Sequence, residues 1–376
     1  MSSDVYTQLA RFLDQLPGGY PATEDGLELR ILQRLFTPEE AEIALHLELI
    51  AENARVIAHR ADKPLAEVKL LLEQMERKGL LFAHNDLDGE PRYMAAHFAV
   101  GIFEFQLHKM DEQIAGYFKQ YFPNLLDPEI WRKAPQLRTI PVQESIELDL
   151  AVMDYERAEE LVLAQDRFSL ATCICRQEKG LLGEPCSKPE ETCLGFGSGA
   201  DFYVRNGLAR YISQQQALDV LALAQESGLV LQPDAAQQAG FICCCCGCCC
   251  ELLTNLKRHP NPGEIVTTSF VAVSKPALCS GCELCFERCQ MEALFLDEGV
   301  VQVDKNRCIG CGLCVTECPS SALSLKRKSV DSGRRPPKTG TEKYIRLAKA
   351  RGVLDNRRMA AIALRSVRDR LLARLH

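Results

Sequence analysis

Between Pro64 and Lys78 the apolar residues Leu65, Val68, Leu71, Leu72 and Met75 recur at the spacing of one helix face, and Gly79 supplies a stop, so this stretch predicts an amphipathic helix. Upstream, Thr37-Pro38-Glu39-Glu40 reads as a helix start: Thr37 caps, proline suits the first turn, and Glu40 reaches back to the cap. Downstream the period shortens. Leu80-Leu81-Phe82, the turn Asp86-Leu87-Asp88-Gly89 and Arg92-Tyr93-Met94 predict a β-hairpin. The centre of the chain predicts a strand from Gln136 to Val142, a helix from Tyr155 to Gln165 and a strand from Phe168 to Thr172. Ser213-Gln214-Gln215-Gln216 is a capping box for a helix reaching about Ser227, closed by Gly228, and Gly240-Phe241-Ile242 is strand-like. Ala293-Leu294-Phe295-Leu296 lies 29 residues before Ala322-Leu323-Ser324-Leu325, an internal repeat of a short strand. This mixture predicts an α+β chain of several domains.

Composition adds limits. A chain of 376 residues, 47% hydrophobic and 25% charged, has material for two or three packed domains. No uninterrupted apolar stretch reaches the roughly 18 to 20 residues that span a bilayer. Nineteen cysteines is an odd number for a disulfide framework, and Met1-Ser2-Ser3-Asp4-Val5 lacks a basic-then-apolar signal region, so a reducing cytoplasm is expected. The net charge of −7 is uneven: from Lys326 onward there are 16 Lys and Arg against 4 Asp and Glu, which leaves the remainder at about −19. After a linker at Pro336-Pro337-Lys338, the residues Ala360, Leu364, Val367, Leu371 and Leu375 recur among Arg365, Arg368, Arg370 and Arg374. Such a basic amphipathic helix suits an anionic membrane surface, an acidic partner or the chain's own acidic body. No lipidation motif is present, which favours the last two over peripheral membrane contact.

The chemistry lies in the cysteines. Cys279, Cys282, Cys285 and Cys289 form C-x2-C-x2-C-x3-C, and Cys308, Cys311, Cys314 and Cys318 repeat it, ending in Cys318-Pro319. Three thiolates at three-residue intervals wrap one iron–sulfur cube while the fourth completes the other. One cluster is therefore expected on Cys279, Cys282, Cys285 and Cys318, and a second on Cys308, Cys311, Cys314 and Cys289. Zinc also accepts paired C-x2-C units, but four cysteines within eleven residues, twice, are too dense for it. Residues 266–328 resemble the bacterial two-cluster 4Fe-4S ferredoxins. One departure is Gln290, which follows Cys289 where that family usually has proline.

A second cysteine population lies upstream. Cys173-Ile174-Cys175-Arg176 follows the strand ending at Thr172, with Cys186 and Cys193 beyond it, and Cys243 to Cys250 follows the strand at Phe241. If those strands are adjacent, the two groups meet. Neighbouring side chains of an extended run point to opposite faces, so only a subset can share one centre. Cys173, Cys175, Cys186 and Cys193 could hold one further 4Fe-4S cluster, and some of Cys243, Cys245, Cys246, Cys248, Cys249 and Cys250 another or a larger one. A four-thiolate zinc site and buried free thiols are the alternatives. Arg176 would offset thiolate charge, and Gly195-Phe196-Gly197-Ser198-Gly199 could turn backbone N–H groups toward cluster sulfurs. That glycine run lacks the order and the preceding strand of a nucleotide loop. The vicinal pair Cys245-Cys246 also suggests a thiol relay, although bridging neighbours strains disulfide geometry.

Residues 24–105, with helix, helix and hairpin in that order, resemble the winged-helix superfamily. The helix that would enter a DNA groove carries Lys63, Lys69, Arg77 and Lys78 but also Glu67, Glu73 and Glu76, a poor match to phosphate. Protein docking or dimerisation is therefore favoured over nucleic acid. His59, His84, His97 and His108 lack metal-ligand spacing. Over residues 20–330 the chain resembles multidomain ferredoxin-like proteins of anaerobic bacteria. That resemblance implies iron–sulfur cofactors and a redox partner protein or oxidoreductase complex. Typical members have Asn where this chain has Cys244, which sets Cys244 apart from the ligands.

The expected layout is an N-terminal segment (1–23), a winged-helix-like domain (24–105), a helical connector (106–135), a Cys-rich mixed α/β domain (136–265), a dicluster ferredoxin domain (266–328) and a basic linker and helix (329–376). The expected function is electron transfer. The alternatives are a redox-responsive winged-helix regulator and an oxidoreductase subunit with catalysis at the middle centre. No Ser/His/Asp constellation is present, and no catalytic residue is assigned.

Overall fold

The computed structural model describes residues 2–85, 89–147, 150–329 and 335–373. They form two compact units, one of residues 1–125, 201–208 and 344–376, the other of residues 126–200 and 209–343.

The first unit is helical with one hairpin. Thr37 caps the helix Pro38–Ala44 through a reciprocal box with Glu40, and the helix Leu65–Lys78 buries Val68, Leu72 and Met75 and stops at Gly79, as the pattern predicts. Strands β1 (Leu81–Asn85) and β2 (Pro91–Ala95) pair antiparallel. Asp86, Leu87 and Asp88 of the expected turn lie outside the described residues. Buried rings knit the core: Tyr20 lies 5.0 Å from Phe98 and 4.9 Å from Tyr121, and Phe103 lies 5.2 Å from Phe118.

The basic C-terminal helix, Asn356–Leu372, belongs to this unit and turns its polar side inward. Ser366 donates to Glu52 at 2.6 Å, Arg60 pairs with both Glu52 (2.7 Å) and Asp369 (2.9 Å), and Arg365 pairs with Glu48. Folding back on acidic residues of its own chain is one of the two roles the sequence favours, the other being an acidic partner, and here the apolar side of the helix is turned outward. Leu364, Val367 and Leu371 are exposed, because the satisfied charges and hydrogen bonds sit on the opposite side. Arg374 and Leu375 lie outside the described residues. Among the described residues no helix is long and apolar enough to cross a membrane.

The second unit carries an antiparallel five-stranded sheet in the order β5-β3-β4-β7-β6, where β3 is Phe168–Thr172, β4 Glu191–Phe196, β5 Arg210–Ile212, β6 Val230–Pro233 and β7 Phe241–Cys245. The helix Gln214–Glu226, capped by Ser213 as expected, covers it with Ala217, Val220 and Leu221. The expected strand from Gln136 to Val142 does not form. The segment makes only isolated bridges, Leu137 to Asp234 and Ile140 to Leu231, because Pro141 has no N–H to continue a ladder. Its backbone is nevertheless spent usefully: Ile140 N–H donates to Leu231 and Val142 N–H to Cys311, stitching the sheet to the C-terminal cysteine loops. Those loops sit between β8 (Phe270–Ser274), β9 (Leu294–Asp297), β10 (Val300–Val303) and β11 (Leu323–Arg327).

Candidate metal centres

The 29-residue repeat folds as two halves that exchange strands. β8 pairs with β11, and its repeat partner β10 pairs with β9. Each motif runs through a loop into a short helix, Leu284–Arg288 or Leu313–Thr316. Exchange brings each fourth cysteine to the other half: one cavity is lined by Cys279, Cys282, Cys285 and Cys318, and a second by Cys289, Cys308, Cys311 and Cys314. The hydrogen bonds follow the same symmetry. Val301 N–H donates to Cys279 Sγ and Ala272 N–H to Cys308 Sγ, both at 3.4 Å, while Ala293 and Ala322 donate to Cys289 and Cys318 at 3.2 Å. Peptide donors aimed at sulfur stabilise thiolates and bridging sulfides alike, so the donor set fits iron–sulfur chemistry. The two cavities differ in access. Cys282 is exposed, whereas Cys308 and Cys314 are buried, and burial pushes the Cys311 thiol up to about 12 and that of Cys285 to about 11.

A 4Fe-4S binding domain model matches residues 301–324. The match spans β10, the second cysteine motif and the start of β11. No curated protein and no solved structure matches the chain. The chain therefore holds a 4Fe-4S binding region followed by a basic tail and preceded by a second Cys-rich region.

In the sheet, β4 lies between β3 and β7, so the two upstream cysteine groups meet through Cys193 rather than by direct pairing of the strands that precede them. Cys193 stands opposite Cys243. Alternation along β7 sends Cys243 and Cys245 to one face and Cys244, opposite Leu231, into the apolar core. Six thiols form a connected group: Cys173 with Cys175, Cys175 with Cys250, Cys250 with Cys245, Cys245 with Cys243, and Cys243 with Cys193. Hydrogen bonds from neighbouring thiols push Cys173, Cys243 and Cys250 down, while their partners Cys175, Cys193 and Cys245 are pushed up.

Of the expected set Cys173, Cys175, Cys186 and Cys193, the structure brings Cys173, Cys175 and Cys193 into that group and places Cys186 outside it. Its Sγ lies 3.9 Å from that of Cys246 and 3.5 Å from that of Cys248, and Cys248 and Cys249 are 3.6 Å apart. The cause is topological: Cys186 sits in the loop between the helix Ile174–Leu181 and β4, ahead of the inner strand that carries Cys193. Arg176 stands between the two groups. It donates to Thr192 Oγ1 at 2.7 Å and to the Cys244 carbonyl at 2.9 Å. Burial pushes its pKa down, but the thiolates of Cys173, Cys246 and Cys245 outweigh that and keep it charged. A hydrogen bond from Cys249, aided by Arg176, holds the Cys246 thiol at about 4, whereas burial raises Cys248 to about 11.

The glycine run behaves differently from expectation. It does follow a strand, β4, and it opens the helix Gly197–Arg205. Its Phe196 and Gly197 N–H groups donate to the carbonyls of Gly240 and Arg167 rather than to sulfur. The departure at Gln290, by contrast, has a clear contact that its sequence position did not signal. Its side-chain oxygen accepts from Gly247 N–H at 2.7 Å, tying the ferredoxin-like loop at Cys289 to the middle of the upstream cysteine run.

Proposed function

We propose that the chain is an electron-transfer protein in which two 4Fe-4S clusters bind through crossed ligand sets, Cys279, Cys282, Cys285 with Cys318 and Cys308, Cys311, Cys314 with Cys289, and a further iron–sulfur centre binds among Cys173, Cys175, Cys193, Cys243, Cys245 and Cys250. The observation that carries the reading is the pair of cavities, each lined by three cysteines of one motif and the fourth of the other. Bound clusters supply one-electron chemistry; the residues supply ligation, spacing and access. The Gln290 to Gly247 bond and the Val142 to Cys311 bond support close approach between the upstream group and the more buried cavity. At the other cavity Cys282 is exposed, and so are Leu278, Leu284 and Leu296. An exposed thiolate with an apolar rim suits brief docking of a redox partner protein.

The regulator reading gains little from the surface. Lys78 pairs with Glu40 at 2.7 Å, and Lys63 lies 3.4 Å from Glu42 and 3.7 Å from Glu67. Paired cations make poor counterions for DNA, which supports protein docking for the helix Leu65–Lys78 and its hairpin.

Replacing Cys318 or Cys289 by Ser tests the crossed sets. In anaerobically purified protein, Cys318→Ser should disturb the cluster of the first motif and Cys289→Ser that of the second. Each variant should lose about half of the reduced-state EPR intensity of the module, with iron and sulfide falling together. Two undisturbed cubes in both variants would overturn the assignment.

A further inference from the structure

Cys186, Cys246, Cys248 and Cys249 have a geometry of their own. All four Sγ atoms lie within 4.8 Å of one another, and among the described residues this is the one such group of His, Cys, Asp or Glu. The separations of 3.9, 3.5 and 3.6 Å can be compared with what each type of centre demands. A tetrahedral zinc with bonds of about 2.3 Å places its four sulfurs about 3.8 Å apart. A four-iron cube holds them on a larger tetrahedron, because the radius of the cube adds to every metal–sulfur bond.

We infer that Cys186, Cys246, Cys248 and Cys249 bind a single zinc ion, separate from the iron–sulfur centres. Four thiolates around one divalent ion carry a net −2, and the surroundings meet that charge. Lys188 N–H donates to Cys186 Sγ at 3.4 Å, and the guanidinium of Arg176 and the ammonium of Lys179 feel the charges of Cys246 and Cys249. Zinc outcompetes ferrous iron at equal ligands in the usual affinity order, and four protein ligands leave no open position, so the site is structural. Its ligands are 60 and more residues apart in sequence at Cys186 and Cys246, and closing them fixes the loop whose Gly247 N–H meets Gln290. The ion would thus hold the upstream sheet against the loop at Cys289. This site does not depend on the electron-transfer reading.

Anaerobic full-length protein, dialysed against metal-free buffer, is to be assayed for zinc, iron and sulfide as wild type, Cys186→Ser, Cys248→Ser and Cys186→His. About one zinc per chain is expected, with four sulfur neighbours near 2.3 Å in zinc K-edge absorption. Zinc should fall at least tenfold in the two Ser variants and return in Cys186→His, since imidazole also binds zinc, while iron and sulfide stay at the wild-type level. If Cys186→Ser fails to fold, the wild-type zinc content and absorption spectrum decide. Wild-type protein without zinc, a rubredoxin-like single iron in its place, or loss of iron together with sulfide in Cys248→Ser would each overturn the inference.

Discussion

Asp369 shows how a single residue sets the fate of the basic tail. It is buried against Arg60, and although burial pushes its carboxyl up, hydrogen bonds from Arg60 and Arg368 outweigh that and leave it below the usual carboxylate range. A depressed folded-state pKa contributes stability that is present above the unfolded value, near 3.8, and lost as pH falls through the folded one. Asp369→Asn should therefore loosen the helix Asn356–Leu372 at pH 7 by about 1–2 kcal/mol. Hydrogen–deuterium exchange of that helix reads the effect, and the gap from wild type should close as the pH drops below the ordinary aspartate value. The sequence marked the tail as basic and amphipathic but not which face docks. Burial followed the acids Glu48 and Glu52, whose positions in the fold no periodicity reveals. Gln290 makes the same point: a change from an expected proline was visible, and its bond to Gly247 was not.

At the level of elements, the 29-residue repeat was the most legible part of the chain, because ligand spacing within a loop is a local requirement written directly in the order of residues. The exchange of β8 and β10 between halves is its spatial expression. The loops also contain matched backbone positions, Gly281 at φ +68° and Gly310 at φ +67°, where a side chain costs about 1–2 kcal/mol in either half. Their surroundings differ. A Cβ on Gly310 would collide with the Phe270 carbonyl and Thr268 Oγ1, whereas on Gly281 it would meet only the Gly299 carbonyl at 3.0 Å. Gly310→Ala should therefore lower iron content and the thermal midpoint clearly more than Gly281→Ala, as measured by iron assay and anaerobic melting. Elsewhere the capped helices at Thr37 and Ser213 were readable because caps are local. The segment from Gln136 to Val142 was misleading, since its apolar residues fit a strand while Pro141 interrupts the ladder.

For the whole molecule, all nineteen cysteines fall in the second unit, and the first is held by aromatic packing and buried ion pairs. Units with separate cores predict two melting transitions. Chelation of iron and zinc should lower one transition by more than about 10 °C or abolish it, since structural metals contribute folding energy, and should leave the other in place. Scanning calorimetry of the treated and untreated protein checks this. By itself the order of residues determined the cofactor class, 4Fe-4S, and the local elements around the cysteine motifs, because thiolates at three-residue intervals and helix caps act over a few residues of chain. Only the tertiary structure decided how the other eleven cysteines divide. A strand sends successive side chains to opposite faces, and β4 sits between β3 and β7, so Cys193 joins Cys243, Cys244 enters the core, and Cys186 closes on Cys246, Cys248 and Cys249.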